Sequence, residues 1–234
     1  MGDQSKWSGP DELNSRLPAG YRLTPQQLLT PDGSQIHVSF RQPDQQFAQV
    51  FRGSCRVPAK ASELEIVDHY RVNVCLIGPG GSLAAARTMM AAGAAIIRAG
   101  AGGVFIDNGG LSHGASSWLE MADDGGADAL SFAFVNIIRG KKDIWTMGMH
   151  VLGYPDLTMP RGEPNYDQQT MIDTLRYVVA GLKPIGDGHV LADEFGPRYQ
   201  VRATDGDHFS PDSPMHNPFG RLKMISFRSL AEKN

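Results

Sequence analysis

The chain has 234 residues, a net charge of −3 and an unusual 27 glycines. A hydrophobic content of 41% against 20% charged residues excludes an intrinsically disordered chain, and no G-X-Y period is present, which excludes collagen. The length allows one large domain or two small ones, with a core that needs no covalent staples.

Charge and cysteine content narrow the class further. No Lys/Arg cluster exists beyond Lys141-Lys142, so the basic face of a nucleic-acid binder is missing. Cys55 and Cys75 supply neither a disulfide framework nor a zinc cluster. Residues 1–20 contain no apolar signal-peptide core. The most apolar stretch, residues 82–103, carries Arg87 and Arg98 and is too weakly hydrophobic for a membrane span. The expectation is a cytoplasmic chain that uses no cofactor and touches neither nucleic acid nor membrane.

In chain order, residues 1–34 are rich in Pro, Gly, Gln and Ser and read as an irregular arm, leaving residues 35–234 as a single domain. Ile36, Val38 and Phe40 alternate with polar neighbours and predict a half-buried strand. A short strand is also expected at 47–51. Residues 70–77 are β-rich and lead into Gly78-Pro79-Gly80-Gly81-Ser82. Ser82 is a natural N-cap for a helix running to about residue 99, with Ala86, Met90, Gly93 and Ile97 on one face.

A strand at 104–106 ends at Asp107 and opens a polar glycine loop over 108–115, followed by a short helix at 116–121. Residues 129–138 are apolar at both parities and predict a strand covered on both faces, which implies an extra layer or a homodimer. A turn at 140–143 returns the chain as a strand over 144–152, and Pro155, Pro160 and Pro164 mark a loop. A second helix spans 167–182, with Met171, Leu175, Val178 and Leu182 on its core face. Strands follow at 189–192, 199–203 and 222–227, with a long loop at 205–221. This order is not a regular βα alternation. It predicts an α+β fold: a mostly antiparallel sheet with two main helices packed on it, in halves of split β-α-β type.

Three places could carry chemistry. Gly80, Gly81 and Ser82 sit between a strand and a helix, where free N–H groups suit a phosphate. However, Leu83 stands where a dinucleotide fingerprint needs its third glycine, and a tight structural turn is the simpler reading. The 107–118 loop combines Asp107, Asn108, Ser112, His113 and Trp118, with Glu120 just beyond. Asp107, Ser112, His113 and Glu120 would be catalytic in a small hydrolase, and Asn108 and Trp118 would bind. That reading requires His113 in a concave pocket within reach of an acid or hydroxyl; a plain surface loop is the alternative. The third place is a scatter of His150, His189, Asp187, Asp193 and Glu194, with His150 and His189 as binding candidates and no metal-ligand spacing.

The segment Thr146-x-Gly148-(four residues)-Gly153-x-Pro155-x-Leu157, followed by a helix and Asp187-Gly188, resembles the bacterial family called domain of unknown function 4261. The likeness covers roughly residues 70–205, and Asp156 stands where that family often has glutamate. The resemblance implies a fold and carries no activity with it. The functional expectation is a non-enzymatic binding or protein-interaction module that takes a protein partner or a small ligand. A hydrolase at the 107–118 loop and a weak nucleotide or phosphate binder at 78–82 are the alternatives.

Overall fold

The computed structural model describes residue 7 and residues 10–161, 168–181, 184–192, 198–204 and 209–231. Among these, the N-terminal part runs α1 (Pro10–Arg16), β1 (Arg22–Leu23), β2 (Gln27–Leu29), β3 (Gln35–Arg41), α2 (Phe47–Ser54), α3 (Ala61–Asp68) and β4 (Asn73–Ile77). The centre runs α4 (Leu83–Arg98), β5 (Gly103–Ile106), β6 (Leu111–Gly114), α5 (Ala115–Asp124), α6 (Ala127–Phe134), β7 (Asn136–Arg139) and β8 (Asp143–Met147). A 3-10 turn (Met149–Leu152) then leads to β9 (Asp156–Pro160), α7 (Gln168–Val179), β10 (Val190–Ala192), β11 (Arg198–Thr204), β12 (Arg221–Ser226) and α8 (Phe227–Ala231).

The fold is α+β with mostly antiparallel sheets. One sheet has the order β1-β2-β3-β4 and is antiparallel throughout. A second has the order β10-β11-β12-β9-β8-β7, parallel only where β12 meets β9. β5 and β6 form a separate hairpin. No helix among the described residues is long and apolar enough to cross a membrane.

Helix α4 holds the two larger sheets together, and its composition explains how. Ser82 caps it by accepting the Ala85 N–H at 3.1 Å. Ala86, Met90, Ala94 and Ile97 join the core beneath the six-stranded sheet, while Ala92, Ile96 and Ala99 join the core beneath the four-stranded one. A helix covered on two sides must be small-sided, hence the alanines. At Gly93 the approach is closest: a β-carbon there would meet the Trp118 ring at 3.0–3.2 Å. Trp118 is buried and donates its indole N–H to the Met90 carbonyl at 3.1 Å.

Several expectations need correction. The described part of the arm is not irregular: α1, β1 and β2 place Leu13, Leu23 and Leu28 in the same core as Ile36 and Val38. The 47–51 strand is helix α2, whose Phe51 is its buried anchor. The second half of the loop expected at 108–115 is strand β6 (Leu111–Gly114), which is buried at every position. The loop after Pro155 includes strand β9, and the strand expected over 144–152 ends at Met147.

The largest difference lies at 129–138. Leu130, Phe132 and Phe134 alternate like a strand, but the residues that bury are Ala129, Leu130, Ser131, Ala133 and Phe134, a helical face and not an alternation. Phe132 stays 37% exposed, and the strand begins only at Asn136. The inference of a homodimer from a two-sided strand loses its ground here. The second helix is confirmed over Gln168–Val179, with Met171, Leu175 and Val178 buried; residues 182–183 and 193–197, which include Leu182, Asp193 and Glu194, and residues 205–208 of the long loop lie outside the described residues.

Candidate functional site

The Thr146–Leu157 segment builds a clamp, and each of its unusual residues has a geometric task. The Thr146 hydroxyl accepts the Leu157 N–H at 2.8 Å and donates to Asp156 Oδ1 at 3.1 Å, locking β8 to β9. Gly148 and Gly153 flank the 3-10 turn with φ of 103° and 88°. A β-carbon at Gly148 would strike the Phe134 carbonyl, and one at Gly153 would lie 2.5 Å from the Gly81 carbonyl. The Gly81 N–H in turn donates to Val151 O at 3.0 Å. The glycines therefore let the turn press against α6 on one side and the 78–82 loop on the other.

Asp156 is the chemical centre of this clamp. It is 4% exposed, yet its carboxylate is well supplied with donors. Oδ1 accepts from Thr146 and, at 3.4 Å, from the Met149 N–H; Oδ2 accepts from Asn217 Nδ2 at 2.9 Å. Burial pushes its pKa up to about 6, against the opposing pull of Asn217, Thr146, Met149 and the Arg221 charge. Asn217, itself buried, also donates to the Tyr154 carbonyl at 3.0 Å and accepts the Phe219 N–H at 2.9 Å.

Beside Asp156 opens a cavity of about 300 Å³ walled by Thr204, His216, Asn217, Pro218, Gly220 and Arg221. The parallel ladder pairs Arg221 with Asp156, so the two side chains leave the sheet on the same face. A carboxylate and a guanidinium thus share one cavity wall. Sequence reading missed Asn217 and Arg221. Of the site it picked out only the Thr146–Leu157 segment.

The predicted site residues are placed as follows. Asn108 and His150 are brought together: Asn108 Nδ2 donates to His150 Nε2 at 3.0 Å and to the Pro214 carbonyl at 2.8 Å. They anchor the segment that continues into the cavity wall. Asp107 and Glu120 are exposed. His189 is exposed too, and its Nδ1 accepts the Gly186 N–H at 3.2 Å in a turn. Ser82 and Gly81 serve the helix cap and the clamp, and Gly80 is exposed. The glycine loop spends these groups on packing, so it is a turn before it is a phosphate cradle.

His113 corrects the hydrolase expectation. It is 1% exposed and packs between Trp118 and Phe132, with ring centroids 5.7 and 6.2 Å away. Its Nε2–H donates to the Ala133 carbonyl at 3.0 Å, and its Nδ1 has no partner among the described residues. Burial lowers its pKa to about 4, the Ala133 bond opposing and the Arg56 charge assisting. Ser112 is fully buried and, one residue away on a strand, lies on the opposite face. Neither Ser112, His113 nor Trp118 lines the Asp156 cavity. They are core residues.

Another residue that sequence reading missed is Glu63. One buried carboxylate accepts the Lys60 N–H at 2.8 Å, at the start of α3, and the Ser116 N–H at 2.7 Å, at the start of α5. Lys60 Nζ donates to Ser116 Oγ at 2.8 Å. Burial alone would raise the Glu63 pKa, but the bonds from Ser116 and Lys60 outweigh it and hold the carboxyl below its usual range.

Among the described residues no group of three His, Cys, Asp or Glu side chains is placed to hold a metal ion. Compared with protein-family models, with curated proteins and with solved structures, the chain matches none.

Proposed function

We propose that the chain is a binding module that takes a small polar ligand at the Asp156 cavity without chemical turnover. The observation that supports this most is the cavity's wall: a buried carboxylate and a guanidinium on one face, with His216 and Asn217 beside them. Three protein donors hold the Asp156 carboxylate in place. A general base must be reachable by the proton it takes, and a carboxylate engaged in this way favours recognition over proton transfer. The residues that would make a hydrolase of the 107–118 segment lie in the core or apart on the surface. Membership of domain of unknown function 4261 is retained as a proposal on the Thr146–Leu157 motif alone, and a cytoplasmic setting on the two unpaired cysteines.

The test is ligand-observed NMR of the full chain against a collection of polar fragments. Binding that disappears in Arg221→Gln, in a protein that still unfolds cooperatively, supports the reading. Hits that persist unchanged in that variant, or no hits at all, overturn it. Conversion of any hit to product overturns the claim that the module does no chemistry.

A further inference from the structure

We propose that β4 is a dimerisation edge: two copies of the chain pair their β4 strands antiparallel about a two-fold axis at Cys75, joining two four-stranded sheets into one. The interface involves neither the 129–138 segment nor the Asp156 cavity.

The ladder decides which backbone groups of β4 are unmet. The Val38 N–H donates to the Gln26 carbonyl at 2.8 Å, so the peptide groups of Val38 point towards β2. These directions alternate along a strand, so His37, Ser39 and Arg41 turn theirs towards β4, where they face Ile77, Cys75 and Asn73. The N–H and C=O of Val74 and Leu76 therefore point out of the sheet. Among the described residues no strand pairs with that side of β4, and no other backbone group reaches Val74 or Leu76.

Burial along the strand shows the same missing neighbour. Val74 and Leu76 share the inward face with Ile36 and Val38 and pack on the same core. Ile36 and Val38 are buried, whereas Val74 and Leu76 are only half-buried. On the outward face Cys75 is half-buried and Ile77 is 58% exposed. A strand laid beside β4 covers apolar surface on both faces at once.

The occupant must be a strand, because a row of ladder groups is met by another extended backbone. Sheet edges of folded proteins are commonly blunted by shortness or charge. At the other sheet ends, β1 and β10 have two and three residues, and β7 ends in the exposed Arg139. β4 has five residues, Asn-Val-Cys-Leu-Ile, with no charge, proline or bulge. It is also its own complement. With the axis at Cys75, Val74 lies opposite Leu76 of the second copy and exchanges both hydrogen bonds with it, and Asn73 lies opposite Ile77. No like charges meet across the seam. Cys75 faces its own copy in a non-hydrogen-bonded pair, where Cα atoms approach to ~4.5 Å, within the range that a disulfide spans. A seam this short falls below a standard interface, so the dimer is reversible and forms at roughly tens of micromolar.

The experiment is sedimentation velocity on the full chain in reducing buffer, from about 5 to about 500 µM. The expected result is a monomer–dimer equilibrium whose dimer fraction rises with concentration. Cys75→Lys sets two ammonium groups against each other across the seam and should weaken association about tenfold. Ile77→Lys, at a position already exposed and free of any folding burden, should weaken it too. A second measurement fixes the register. Diamide, which takes up the two electrons and two protons of a thiol pair, should convert the wild-type chain and Cys55→Ser to a disulfide-linked dimer and leave Cys75→Ser unlinked. A monomer at every concentration overturns the proposal. So does a dimer that both lysine variants leave unchanged, or one that diamide links through Cys55 and not through Cys75.

Discussion

Asn217 donates to the Asp156 carboxylate at 2.9 Å and to the Tyr154 carbonyl at 3.0 Å, tying the segment before β12 to the entrance of β9. These two residues are 61 positions apart, and the bond between them is buried. Truncation to Asn217→Ala should leave two buried acceptors short of a donor and cost about 2–3 kcal/mol. Urea unfolding midpoints at pH 7 will show it. Asn217→Asp places one carboxylate against another, so its cost should be larger at pH 8 than at pH 5; an equal loss at both would mean that charge repulsion is not the cause.

Two buried groups give the stability profile opposing slopes. His113 is pushed down from 6.5 to about 4, so the stability its neutral ring confers is complete above pH 6.5 and is lost as pH falls through about 4. Asp156 is pushed up from 3.8 to about 6, so its contribution is complete below pH 3.8 and is lost as pH rises through about 6. Each effect is worth roughly 3 kcal/mol, and in the wild-type chain they nearly cancel between pH 4 and 6.5. Removing one should expose the other. His113→Phe should gain stability on acidification across this window, and Asp156→Asn should lose it. Denaturant titrations at half-unit pH steps decide the point, and parallel profiles for all three proteins would refute it.

Gly153→Ala should be among the most damaging single-methyl changes. It combines a φ of 88° with a β-carbon lying 2.5 Å from the Gly81 backbone carbonyl. Backbone strain costs ~1–3 kcal/mol and the steric conflict a similar amount, so a loss of at least 3 kcal/mol is expected. Gly80→Ala, with nothing within 4 Å of its added carbon, serves as the control and should change stability by ~0.5 kcal/mol or less.

Glu63→Gln keeps the size of the side chain but turns one acceptor into a donor facing a backbone N–H of α3 or α5. The expected cost is about 2 kcal/mol. Hydrogen exchange offers a sharper reading, because protection should fall first at the start of those two helices. Uniform loss across the molecule would argue against a local capping role.

The parts of the fold that depend on neighbours in sequence were legible. Helix α4 is announced by Ser82, by its apolar spacing and by the glycines that end it, and α7 by Met171, Leu175 and Val178. The hairpin of β7 and β8 is announced by its turn at Gly140 to Asp143. The segment 127–134 was not legible, because eight residues with large side chains at alternate positions satisfy both periods. What decides for helix is packing: Leu130 and Phe134 reach the core beside Trp118, while Arg56 covers the outward Phe132 ring at 4.7 Å and donates to the carbonyls of Phe132 and Val135.

The candidate site divides the same way. Sequence alone determined that the chain turns out of a strand at residues 153–156, since φ restrictions and turn chemistry act over a few residues; the 3-10 turn at Met149–Leu152 reads as strand in the sequence. Only the tertiary structure decided what Asp156 does. The parallel pairing of β9 with β12 brings Arg221 beside Asp156, and the segment before β12 supplies Asn217. Pairing between strands 65 residues apart leaves no local signature, because it is selected by burial of the whole sheet. The same burial that raises the Asp156 pKa also took His113, the most promising catalytic residue in the sequence, out of reach of any substrate.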